Sequence, residues 1–293
     1  MCKNIFDFIL ICVIIFKNIL RSFILKYKNI IDMHTHSDNS FDGHHSCILL
    51  CEGAIENNAS GIAITDHCDI DNYDYDYRAF ATNQYVQTFA AKKAFEGQLL
   101  LMQGIELGQG IYRKEFSEKL MNDFNYDFVI GSIHNLENMQ DFYFLDYSKH
   151  NIDELLQKYF EALLELAQWN KTDSLAHLTY PLRYIVAREH IDIDLSKYQD
   201  IIDAVFETLI KNDKALELNV SGLFMEMKDT LPNISLIKRF HDMGGKYVTV
   251  GTDSHYYNKV CIGIEQGYDI LLACGYKHFT IFQNREPMLI EIK

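Results

Sequence analysis

The chain has 293 residues, of which 48% are hydrophobic and only three are proline, and it carries a formal net charge of −14. That apolar content suffices for the core of one large domain or two small ones, and it excludes disordered and collagen-like classes. So acidic a surface disfavours broad nucleic-acid binding, unless bound divalent cations reverse the field inside a pocket.

Residues 1–29 differ from the rest, reading FDFILICVIIF and then KNILRSFILKYK. The unbroken apolar run is about a dozen residues and contains Asp7, short of the ~20 a spanning helix needs. No small-residue cleavage site follows; Lys17, Asn18, Arg21 and Ser22 do. The expected readings are an amphipathic helix on the body of the protein, an extension the fold does not need, or a basic helix on a membrane surface. The predicted division is therefore a leader, 1–29, and one folded domain, 30–293.

From residue 30 strand-like and helical patterns alternate. The apolar runs NIIDM, GIAIT, LLLMQGIE, YDFVIGSI, DSLA, ALELNV and KYVTVG read as strands, and the clearest helical patterns are 48–58, 83–96, 153–169, 195–211 and 235–243. Several strands are continuously apolar, as in a parallel sheet covered on both faces. Seven such units predict a TIM-like barrel with one unit missing, with a doubly wound open sheet as the alternative. An eighth run, HFTIFQ, leaves the strand count open by one. The aromatic, aperiodic stretch NLENMQDFYFLDYSKH, 135–150, reads as a loop over one mouth of the barrel.

The seven cysteines include no CxxC pair. They read as buried or free thiols in a reducing, cytoplasmic setting, with Cys47 and Cys51, one helical turn apart, assigned to core packing.

Of the twelve histidines, six stand at or just beyond the end of a predicted strand: His34, His36, His67, His134, His177 and His255. In DMHTHSDNSFDG, residues i and i+2 of an extended run face the same side, so His34 and His36 converge. Acidic groups share these ends: Asp42, Asp66, Glu106 and Asp253. In a parallel barrel the C-terminal strand ends meet at one mouth. Imidazoles and carboxylates gathered there suit about three divalent ions, zinc, manganese or iron rather than magnesium or calcium. Glu106, with two oxygens, is placed to bridge two of them. Clustered ions of this kind serve in-line displacement at phosphate esters. His44 and His45 lie close enough to Asp42 to stay in question.

The ordered pieces DMHTHSDNSFDG, ITDH, GIEL, IGSIH, LAHLTYPLRY, LELNVSG and VGTDSH resemble the PHP (polymerase and histidinol phosphatase) superfamily, most closely its monofunctional histidinol-phosphatase members. The tail GYKHFTIFQNREP is similar to the end of these enzymes, so the resemblance runs from about residue 30 to the C-terminus. It implies a distorted (β/α)7 TIM-like barrel with a trinuclear metal site at the C-terminal strand ends. It also implies a ligand set: His34, His36, Glu106 and Asp253 for a first ion, Glu106, His134 and His177 for a second, and Asp42, His67 and His255 for a third. His44 is the rival of Asp42.

Arg183 matches a phosphate-binding position, where a guanidinium fork suits two phosphate oxygens. Relatives commonly carry a second arginine where this chain has Phe224; Lys228 or Arg285 are its expected substitutes. The implied activity is a metal-dependent phosphomonoesterase, a histidinol-phosphatase of histidine biosynthesis, with Glu106, Asp253 and His255 as catalytic residues. For the substrate's ammonium and ring the 135–150 loop offers Glu137, Asp141 or Asp146, with Phe142 or Tyr143. The alternatives are a PHP phosphoesterase on nucleotides or short nucleic acids and a non-catalytic PHP scaffold. Membrane contact would involve residues 1–29 alone.

Overall fold

The structure is a computed structural model and describes residues 26–71 and 75–293. Seven parallel strands form the barrel: β1 (Ile31–Thr35), β2 (Gly61–Ile64), β4 (Leu100–Gly108), β5 (Phe128–Ser132), β6 (Ser174–Leu175), β7 (Ala215–Asn219) and β8 (Val248–Gly251), hydrogen-bonded in that order. A parallel bridge from Thr35 to Ser254 draws the last strand to the first, with His36 N–H donating to Ser254 O at 2.8 Å and Asp253 N–H to His34 O at 2.8 Å. The sheet thus curls into a nearly closed barrel, and the open-sheet alternative is set aside.

The strands β2, β5, β7 and β8 are buried at every position. Ile, Val, Leu, Ala and Phe supply most of these buried positions, as a sheet covered on both faces demands. The stretch ITDHCD does not continue β2. It breaks at Thr65–Asp66 and resumes as β3 (His67–Asp69), which pairs with the upper half of β4 and sets His67 opposite Glu106. HFTIFQ is not a barrel strand. It is β9 (His278–Gln283), paired antiparallel with β10 (Glu286–Glu291) in a separate hairpin.

Eight α-helices among the described residues clothe the barrel: α1 (Cys47–Glu56), α2 (Tyr77–Ala94), α3 (Lys114–Asn122), α4 (Ile152–Trp169), α5 (Leu182–Ile185), α6 (Gln199–Lys211), α7 (Ile234–Asp242) and α8 (Ile264–Cys274). Helix α2 begins six residues before the expected Asn83, because the Asp76 side chain accepts from Ala79 N–H and caps it there. Cys47 and Cys51 on α1 are buried, and burial pushes their thiols up to about 11 and about 12, as core packing requires. No helix among the described residues is long and apolar enough to cross a membrane.

The packed body starts earlier than the expected residue 30. Tyr27 is 6% exposed against Tyr268, its hydroxyl donates to Asp269 at 2.5 Å, and Lys28 N–H donates to Lys293 O. The expectation for residues 1–25 lies outside the described residues.

Candidate metal centre

The six histidines singled out in the sequence and their carboxylates do meet at the C-terminal mouth. Glu106, fully buried at the end of β4, stands at the centre. Its Oε1 lies 3.1 Å from Nε2 of both His134 and His177, which follow β5 and β6. Its Oε2 lies 3.2 Å from His34 Nε2, 3.5 Å from His36 Nε2 and 2.8 Å from His67 Nδ1. Asp253 Oδ1 lies 3.1 Å from His36 Nε2 and 3.7 Å from His34 Nε2. Asp42 Oδ1 approaches His255 Nε2 at 3.2 Å and His67 Nε2 at 3.7 Å. His44 instead stacks on Tyr256 with centroids 4.3 Å apart, and His45 packs on Tyr257.

The tautomers explain what such a cluster demands. His34 Nδ1 is held by Glu217 at 2.7 Å, His134 Nδ1 by Asp69 at 2.9 Å, and His255 Nδ1 by the Asp253 carbonyl at 3.0 Å. A neutral ring whose Nδ1–H is spent on such a bond presents only a lone pair at Nε2. Those lone pairs face carboxylate oxygens and one another: His134 and His177 Nε2 are 3.4 Å apart, His67 and His255 Nε2 3.3 Å apart. His36 Nε2 and His67 Nδ1 are buried and, although carboxylate oxygens lie 3.1 and 2.8 Å away, make no well-directed hydrogen bond among the described residues. Acceptor against acceptor is repulsive unless a cation sits between them.

The site's electrostatics express the same demand for positive charge. Burial alone would depress His34, but Glu217, Glu106 and Asp253 hold it well above the ordinary imidazole range; His67 is likewise raised to about 9 by Glu106. Despite burial, His134, His67 and His34 hold Glu106 well below the carboxylate range. Despite burial, Asp42 is lowered to about 2 by its hydrogen bond to His255 and by His67. Among the described residues five overlapping triads each bring three ligand-type atoms within 4.8 Å of one another, including His34–His36–Glu106, Glu106–His134–His177 and His36–His67–His255. The donor set, imidazole with carboxylate, fits divalent transition ions.

Further buried groups, not legible in the sequence, fix these side chains. Glu217, fully buried on β7, also accepts from His177 N–H at 2.6 Å. Asp66, considered only as a member of the cluster, accepts from Ser37 and Ser40 hydroxyls; Ser40 Oγ in turn lies 3.1 Å from His36 Nδ1 and accepts from His67 N–H. Asp32 ties β1 to β8, accepting from Thr252 N–H at 2.9 Å and from Cys261 N–H at 2.9 Å. Gly251 has no alternative, because a Cβ there would sit 2.4 Å from His34 Cβ and 2.6 Å from Glu217 Oε1. Partners of this kind orient ligand rings and sharpen their basicity.

Above the cluster opens a cavity of about 730 Å³. Its wall carries two cations besides histidines, Arg183 and Lys259. Arg183 donates to Ser221 Oγ at 3.0 Å, to Asn219 Oδ1 at 3.3 Å and to Asp253, while its buried Nε has no partner among the described residues. Lys259 makes no ion pair among the described residues and, unlike Lys228, lines the cavity; Phe224 lines it too. Arg285 cannot act here, since it pairs with Asp173, ahead of β6, at the opposite end of the barrel. From the 135–150 loop the cavity receives Asp141, Tyr143 and Phe144. Phe142 is fully buried, Asp146 pairs with Lys149 and Glu137 borders a separate small cavity, so these three do not face the site.

A nearly closed parallel barrel with a buried imidazole–carboxylate cluster at its C-terminal mouth defines a metal-site barrel protein. The sequence model of the PHP domain matches residues 32–221, and the chain belongs to that family. Among curated proteins it is 29% identical over 251 residues to a probable histidinol-phosphatase of Thermotoga maritima, spanning 86% of this chain and 95% of that one. A probable histidinol-phosphatase of Clostridium acetobutylicum is 27% identical over 250 residues, 85% of this chain and 95% of that protein. Among solved structures, the histidinol phosphate phosphatase of Lactococcus lactis, complexed with zinc, L-histidinol and phosphate, superposes with a TM-score of 0.77 at 22% identity, covering 89% of this chain and 99% of that one. That likeness establishes the shared fold.

Proposed function

We propose that the chain is a metal-dependent phosphomonoesterase that hydrolyses L-histidinol phosphate to L-histidinol and phosphate, a step of histidine biosynthesis. The observation that carries this reading is Glu106: each of its oxygens faces its own set of imidazole nitrogens, two of which belong to His67 and His134 on the wall of a cavity that also holds Arg183. The names of the curated relatives, matched over nearly their full length, point to the same substrate.

We assign His34, His36, Glu106 and Asp253 to a first ion, Glu106, His134 and His177 to a second, and Asp42, His67 and His255 to a third. Zinc, manganese or iron fits these donors. Divalent ions held there supply positive charge that activates water and offsets the charge on the phosphate. The chain's own groups do the rest. The Arg183 guanidinium, anchored by Asp253 and Ser221, presents its remaining donors to phosphate oxygens, a charge-assisted contact that strengthens as charge builds at phosphorus. Despite burial, Arg183 and His34 hold Asp253 well below the carboxylate range, so it stays ionised and serves ligation and the orientation of Arg183 rather than proton donation.

His255, on the cavity wall with its Nδ1 held by the Asp253 carbonyl, is assigned to the third ion through Nε2, and the leaving alkoxide takes its proton from cavity water. Loss of an ion in His255→Asn, read by metal analysis, is the expected result. The described cysteines are all unbonded and buried, which supports a reducing, cytoplasmic setting.

The test is phosphate release from L-histidinol phosphate by the purified protein, before and after chelation, with metal analysis of the same sample. Turnover lost on chelation and restored by added metal, with about three ions per chain, is expected. Full turnover by a metal-free sample would overturn the reading.

A further inference from the structure

Three carboxylates line the cavity: Asp42, Asp141 and Asp253. Asp253 is paired with Arg183, and Asp42 faces His255 and His67. Asp141 has no cationic partner of this kind. It makes no ion pair among the described residues and lies outside every cluster of metal-ligand geometry found there. Its two hydrogen bonds, from Tyr143 N–H at 2.6 Å and from the Tyr180 hydroxyl at 3.1 Å, both fall on Oδ1. Among the described residues Oδ2 has no hydrogen-bond partner, and the residue lines the cavity. A half-buried carboxylate fixed through one oxygen and free at the other is a preformed acceptor for a cation the protein does not itself provide.

The surroundings define that cation. Tyr180 links Asp141 to the metal cluster, its ring 4.8 Å from His134 and 5.0 Å from His177. The carboxylate therefore stands about one tyrosine ring from the phosphate end of the cavity. Tyr184 donates its hydroxyl to the Tyr180 hydroxyl at 3.0 Å and meets Tyr143 edge to face at 5.6 Å. Tyr143 in turn meets Phe144 at 4.8 Å, and both rings are largely exposed to the cavity side of the loop. A charged acceptor beside the reacting end, continued by an aromatic wall, suits a phosphate ester of an amino alcohol. There the ammonium is two carbons from the ester oxygen and an aromatic ring lies beyond it.

We propose that Asp141 Oδ2 receives the ammonium of the substrate, and that Tyr143, Phe144 and Tyr184 receive its ring, making Asp141 the residue that selects amino-alcohol phosphates over neutral ones. The inference rests on the phosphomonoesterase reading above. It narrows the five loop residues nominated from sequence to the two, Asp141 and Tyr143, that the cavity admits.

The experiment compares kcat/KM for L-histidinol phosphate and for its deamino analogue, which carries hydrogen in place of the ammonium, in the metal-loaded wild type and in Asp141→Asn. Asparagine keeps the oxygen that Tyr143 and Tyr180 use, so the loop retains its anchor. The wild type should prefer the amine by roughly 10- to 100-fold, the range of a charge-assisted hydrogen bond, and D141N should lose most of that ratio. Damage to the fold would lower both substrates together and leave the ratio standing. A wild type without preference for the amine, or a D141N with the preference intact, overturns the Asp141 assignment while the phosphatase reading survives. A wild type that hydrolyses neither ester overturns both.

Discussion

The two ends of the barrel are built from the same materials and do opposite things. At the N-terminal end, Asp127 accepts from Gln103 N–H at 2.9 Å, Asn284 N–H at 3.2 Å and Lys92 Nζ at 2.6 Å. Asp173 accepts from Val129 N–H at 2.8 Å and from Arg285. Every partner there is a donor, and the β9–β10 turn that carries Asn284 and Arg285 is pinned across the barrel's base. At the C-terminal end Glu106 faces imidazole nitrogens on both of its oxygens instead. The difference teaches that buried charge by itself marks nothing. A carboxylate met by donors is satisfied and structural, whereas a carboxylate met by acceptors demands a cation from outside.

That contrast breaks most sharply at Glu106. Glu106→Gln should lose at least one ion per chain and roughly a thousandfold or more in kcat, with no loss in Tm, because a neutral amide relieves the buried charge. Full metal content with normal turnover would remove the bridging assignment. A milder cut is Glu217→Gln, which weakens the hold on His34 Nδ1 without touching a ligand atom. It should cost about 10- to 100-fold in metal affinity, read by titrating the apo-protein. Unchanged affinity would show that the ring needs no such anchor.

At the other end the signs reverse. Arg285→Ala should destabilise by about 1–3 kcal/mol in denaturant unfolding, since it strips a charged donor from buried Asp173, while kcat stays as in the wild type. A fall in kcat without a fall in stability would mean the two ends are coupled. The smallest effect is expected on removing residues 1–25: metal content and kcat/KM unchanged, because the ligands and Tyr27 all lie downstream. Loss of metal binding would make that segment part of the core.

Much of the mouth was legible in the sequence because its signals are local. An apolar run followed at once by histidine gives a strand end and a cluster imidazole together, and this happens at β1, β5 and β6. The 135–150 loop was legible as a cover for its want of period, but its facing was not: with no period, nothing says that Phe142 turns into the core while Asp141 and Tyr143 turn to the cavity. Partnerships across the barrel were equally hidden. Glu217 lies 183 residues from the His34 it holds, and Arg183 lies 70 residues from Asp253. The same blindness put Arg285 among the phosphate-binding candidates, since its charge was visible and its place under β6 was not. HFTIFQ left the strand count open by one because a hairpin strand and a barrel strand share one apolar pattern; only its partner β10 tells them apart.

The central claim is that the acceptor-lined end of the barrel hydrolyses L-histidinol phosphate. It is tested most directly by the specificity constants of the metal-loaded protein for L-histidinol phosphate, a nucleoside monophosphate and p-nitrophenyl phosphate. A preference for L-histidinol phosphate of about a hundredfold or more, ~2.7 kcal/mol in transition-state binding, is the predicted result. Equal constants for all three, or a preference for the nucleotide, would contradict it.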